Sequence, residues 1–143
     1  MTNDINLILQ NEYIKFYIID CNIYIDSTPK EEQEKYDSDE VLSHDKKIKK
    51  IKDVIEYFYN FWKLIEQENN DKLYTLNFNI NLVMINIPLS FYWDIKKMLD
   101  SLKKVFEKNL KESYFKIEHK LAKQFLDLVF SLYTPVKPIY FIN

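Results

Sequence analysis

Glycine is absent from these 143 residues, and that absence excludes a good deal of chemistry. A dinucleotide-binding G-x-G-x-x-G turn, a Walker-type phosphate loop and a G-x-S-x-G nucleophile elbow all need close backbone approach or positive φ. Glycine supplies those conformations at little cost, and nothing replaces it at every position. Arginine is absent too, because all 20 basic residues are lysine. No bidentate fork exists for phosphate, carboxylate or guanine. Cys21 is the one cysteine, so no intramolecular disulfide forms, and a reducing, cytoplasmic setting is expected. No signal peptide is visible at the N-terminus. No apolar run approaches the ~18 residues of a membrane span. Ala122 is the only alanine. The lack of residues with GC-rich codons resembles the output of an AT-rich genome and cautions against over-reading asparagine or lysine runs.

Hydrophobic residues make up 47% of the chain, with 11 tyrosines and 10 phenylalanines. A chain of this length buries roughly 70% of its unfolded surface in one domain, so residues 1–143 are expected to share one core without disulfide or metal. Residues 5–9 and 13–25 read as two strands of a hairpin, with Asn11 able to take positive φ in the turn. Residues 26–45 are acidic, with little that packs, and are expected as a solvated loop open to disorder or to a partner. From about Asp45 to Gln67, Ile48, Ile51, Ile55, Phe58, Trp62 and Ile65 recur at helical spacing, ending at Asn69-Asn70-Asp71.

The stretch from Leu73 to Leu110 organises the rest. Leu76, Phe78 and Ile80 alternate with Asn77, Asn79 and Asn81, and a second apolar run from Leu82 to Ile87 ends at Pro88. Ser90 offers an N-cap, and Ile95, Met98, Leu99, Leu102, Val105, Phe106 and Leu110 form the stripe of a long helix over 90–110. A strand over 114–118, a helix from Leu121 to Leu132 stopped by Pro135, and a last strand over 139–142 complete the order β-β-α-β-α-β-α-β. Alternation of this kind predicts an α/β fold, a mixed sheet with helices packed on it.

The two histidines, His44 and His119, and Cys21 are too dispersed for a zinc site. Asp20, Cys21 and Asp26 with His119 are the only nucleophilic set worth weighing, and their spacing does not support one. Cys21 reads as a small core residue of a strand. The lysine run 46–52 sits at a helix N-terminus, where it opposes the helix dipole. It reads as a solvated face or as a partner for anions. Net charge −2 and the lack of arginine weigh against a nucleic-acid surface. The richest local cluster is Asn86, Ser90, Tyr92, Trp93 and Asp94, at the strand-to-helix junction where open α/β sheets bind ligands.

The element order and the run Asn79-Ile-Asn-Leu-Val-Met-Ile-Asn86 resemble the STAS-type domains of anti-sigma-factor antagonists and transporter C-termini. There the central strand reads D-L-x-x-V-x-x-I-D, and here asparagines stand at the acidic positions. That family's phosphorylatable serine and following glycine fall near Ile87 and Pro88, with Ser90 the nearest hydroxyl. An acidic insert of about twenty residues also precedes the first helix. The phospho-switch therefore does not carry over. What the resemblance implies is a regulatory, non-enzymatic module without cofactor, docking another protein or a second copy near the helix that begins at Ser90. The alternative is a small-ligand or enzymatic site in that region, lined by Asn86 and by Tyr92 or Trp93. Ile139-Tyr-Phe-Ile142 is a further candidate, as an edge strand through which copies associate.

Overall fold

The computed structural model describes residues 5–10, 14–27, 44–79, 89–116 and 120–142. It is α/β, built on one six-stranded mixed sheet in the sequential order β1-β2-β3-β4-β5-β6. The strands are β1 (Ile5–Gln10), β2 (Ile14–Ile19), β3 (Asn22–Ser27), β4 (Tyr74–Asn79), β5 (Leu110–Lys116) and β6 (Ile139–Ile142). The helices are α1 (His44–Glu68), α2 (Leu89–Ser101), α3 (Lys103–Asn109) and α4 (Lys120–Leu132). β1, β2 and β3 pair antiparallel, whereas β3 to β6 pair parallel. The turn at Asn11, most of the acidic segment 26–45, the run Leu82–Ile87 with Pro88, and His119 lie outside the described residues.

Two elements differ from the sequence reading. The run 13–25 is two strands, because the chain reverses at Asp20-Cys21, where Ile19 pairs with Asn22. Asp20 holds φ 55° there, the positive φ that a short polar side chain tolerates where glycine is lacking. Cys21 is consequently exposed in a turn and is not a core residue. The long helix 90–110 is interrupted at Leu102, whose N–H donates to the Leu99 carbonyl three residues back. Beside it the Ser101 hydroxyl donates to the Met98 carbonyl at 2.6 Å, a back-bond that bends helices. Leu102 is wholly buried, so the apolar stripe continues through the break. Leu110 then opens β5, opposite Tyr74, instead of closing a helix.

Asn69 ends α1 at φ 49°, in glycine's usual role. Asn109, buried at the α3–β5 junction, donates to the carbonyls of Asn70 and Lys72 at 3.0 and 2.9 Å. That pair of bonds ties the start of β5 to the loop entering β4.

Each parallel crossover advances one strand in the same direction, so the helices share one face. Burial agrees with this: Ile14, Phe16, Ile18, Ile23, Ile25, Tyr74 and Leu76 belong to the core, along with Phe58, Phe61, Trp62 and Ile65 of α1 and Leu99, Leu102 and Phe106 beyond it. Aromatic edges lock the layers, with Phe16 5.5 Å from Phe61 and Trp62 standing at 88° to Phe106, 5.0 Å away.

Candidate functional site

The alternate residues of the strands point away from the helices, and among the described residues no helix packs on them. Register places Tyr17, Tyr24, Asn77, Tyr114 and Tyr140 in one row crossing five strands. At one end Tyr17 and Tyr24 stack at 5.2 Å, and at the other Tyr114 and Tyr140 stack at 5.2 Å. Between them the Asn77 amide donates to the Ile23 carbonyl at 3.3 Å. The phenols are held from the neighbouring rows. Tyr17 donates to Asp26 Oδ2 at 2.5 Å, Tyr114 donates to Glu112 Oε2 at 2.5 Å, and Asn79 donates to Asp26 Oδ1 at 2.9 Å. Desolvation, then the Asp26 carboxylate, raises the Tyr17 phenol well above its ordinary range. The hydrogen bond to Glu112 is the main cause of the upward shift at Tyr114. Both hydroxyls therefore remain protonated donors at neutral pH.

The junction cluster singled out in the sequence is dispersed. Ser90 and Asp94 stand in solvent, and Trp93 is 48% exposed. Phe91 turns inward, as its spacing to Ile95 predicts, with the Lys52 ammonium 6.0 Å from its ring. Tyr92 packs against Phe125 of α4 at 5.4 Å, and burial raises its phenol. Asn86 lies outside the described residues. Beside Ser90 and Asp94, this end of α2 also presents apolar surface, since Leu89, 66% exposed, precedes Trp93 by one helical turn.

A cavity of about 120 Å³ lies between the sheet and α1, α2 and α4. Its wall is almost wholly apolar, including Val54, Phe58, Leu76, Met98, Phe115 and Val129, and it meets α2 at Ile95, Met98 and Leu99, deeper than Ser90 or Trp93. Its polar exceptions are Ser113, Tyr133 and Lys137. Ser113 is buried. Its backbone N–H donates to the Pro138 carbonyl at 3.0 Å, which brings it beside the α4–β6 connection carrying Lys137. Sequence reading passed over Ser113 because it started this strand at Tyr114. The available signal was a small hydroxyl at the inward phase of Leu76 and Ile139.

Other chemistry is not assembled among the described residues. Cys21 and Asp26 lie at opposite ends of β3, about 16 Å apart at ~3.3 Å per residue, too far to share a reacting atom. No group of three His, Cys, Asp or Glu side chains is placed to hold a metal ion among the described residues. Within the lysine run, Lys49 pairs with Asp53 at 2.9 Å. No described helix is long and apolar enough to cross a membrane. Compared with protein-family models, curated proteins and solved structures, the chain matches none.

Proposed function

We propose that this chain is a small, non-catalytic protein-interaction module of regulatory type and STAS-like topology, working through the sheet face on which no described helix packs. The row of four tyrosines across five strands carries the reading. Tyrosine offers a large apolar body with one polar tip, loses little rotamer entropy on binding and is enriched where proteins meet. Here the rings are pre-stacked and two hydroxyls are oriented by Asp26 and Glu112, so little ordering remains for a partner to impose. A chain beginning with strands and continuing in alternating helices and strands supports the STAS-like reading. The single cysteine supports a reducing, cytoplasmic setting.

The test is crosslinking and co-purification with the intact chain and with a Tyr24→Ala/Tyr114→Ala variant, whose fold is checked by circular dichroism. The expected result is a partner held by the intact chain and lost, at least tenfold, by the folded variant. Equal capture by both, or turnover of a substrate by the pure chain, overturns the proposal. A second reading, pairing between copies through β6, is favoured by exposure at Tyr140, Phe141 and Ile142. Light scattering across a dilution series distinguishes that pairing from a foreign partner.

A further inference from the structure

Resting on the sheet-face reading above, we infer that the partner received there is basic, a lysine-bearing segment whose ammonium seats on the Tyr114–Tyr140 pair beside Glu112. The row is built as two like halves. In each, two tyrosines on neighbouring strands stack at 5.2 Å. In each, one phenol donates to a carboxylate on the same face, Tyr17 to Asp26 and Tyr114 to Glu112. The first half also carries its own cation. The Lys15 ammonium stands 4.9 Å from the centre of the Tyr17 ring, and Lys15 is opposite Asp26 in the strand register. An aromatic face with a carboxylate at hand attracts an ammonium, because the negative face of the ring and the anionic oxygens act together.

The second half has the rings and the carboxylate without the cation. Among the described residues no ammonium stands over Tyr114 or Tyr140, and Glu112 forms no ion pair. Lys116, two residues along β5, has an interaction of its own. A carboxylate accepts about four bonds, so the one from Tyr114 leaves Glu112 able to take more. Tyr140 is 47% exposed on β6, with no described strand beyond it, so its ring is reachable from the sheet edge. A nucleic acid would stack on the same rings, but its phosphates would meet Asp26 and Glu112 with no arginine to answer them.

The probe is a capped tetralysine peptide titrated into the intact chain, with capped tetraglutamate as the comparison, read from tyrosine ring-proton shifts in NMR spectra. Tetralysine is expected to shift Tyr114 and Tyr140 at one site, and tetraglutamate to shift neither. Tyr140→Ala removes a ring but no charge, and should weaken tetralysine about two- to fivefold, the range for an exposed cation–π contact. Glu112→Gln should weaken it by a similar factor. Lys15→Ala vacates the first half and should add a second site at Tyr17 and Tyr24. Circular dichroism checks the fold of each variant. No shift at Tyr114 and Tyr140, or affinity undiminished in folded Tyr140→Ala, overturns the inference. So does a single site in folded Lys15→Ala, or tighter binding of a thymidine hexanucleotide to the same rings. Partner capture lost by Tyr24→Ala/Tyr114→Ala, while tetralysine leaves the intact chain unmoved, overturns the basic partner alone. Capture equal in both chains overturns the sheet-face reading and this inference with it.

Discussion

At the scale of single residues, the chain solves with asparagine and aspartate what most chains solve with glycine. Asp20 and Asn69 carry the two positive-φ positions among the described residues. Asn69 was legible, since polar residues closing an apolar helical stripe are a stop signal. Asp20 was not, because Ile18-Ile19 and Ile23 flank it closely and the apolar phase runs on past it. The buried indole N–H of Trp62 is a second residue-scale feature invisible in the sequence. It has no hydrogen-bond partner among the described residues, a cost its packing against Phe106 offsets. Tyr133 yields a prediction. Burial, with Asp100 and Glu107 adding repulsion, pushes its phenol up to about 12, against ~10 in an unfolded chain. The folded state thus holds the proton more tightly. The associated stability is complete below pH ~10 and is lost as pH climbs towards 12. Urea midpoints measured from pH 9 to 12 should fall, and Tyr133→Phe should flatten part of that fall. A fall unchanged in Tyr133→Phe would assign the alkaline lability elsewhere, Tyr17 being the next candidate.

At the scale of elements, periodicity revealed which residues face the core better than it revealed where elements begin and end. α1, α4 and β6 lie within a residue or two of their expected bounds. The stripe of Ile95, Leu99, Leu102 and Phe106 is also buried as read. The break inside that stripe was hidden because α2 and α3 keep one apolar phase on both sides of Leu102, and side-chain spacing does not report a change in backbone hydrogen bonding. The start of β5 was hidden for a related reason, since Leu110 satisfies a helical and an extended pattern equally. The candidate site was less legible still. A row of tyrosines forms only when five strands take one register, and no local window contains it. Asn109 decides the α3–β5 boundary, and its side chain supplies two buried bonds that a helical continuation would lose. Asn109→Ala should therefore cost about 1–3 kcal/mol in urea unfolding, from carbonyls left without their donor. A cost below ~0.5 kcal/mol would show that the junction is set by β4–β5 pairing alone.

At the scale of the molecule, a sequential strand order places all the described helices on one face of the sheet. Stability should be graded across it as well. β3, β4 and β5 have a hydrogen-bonded neighbour on both sides and bury Ile23, Ile25, Leu76 and Phe115 beneath the helices. β6 has a neighbour on one side, and its Tyr140, Phe141 and Ile142 are 38–47% exposed. Opening β6 exposes little new apolar surface, so it needs only local fraying, whereas opening β4 needs the core to come apart. Amide exchange in dilute protein should accordingly run on the order of 100-fold faster at Phe141 than at Leu76. Raising the concentration should leave that ratio unchanged if the sheet edge stays bare, and should slow Phe141 selectively if copies pair through it. Equal protection of both strands at every concentration would contradict β6 as a bare edge of the sheet. It would mean that β6 has a permanent neighbour along its outer edge.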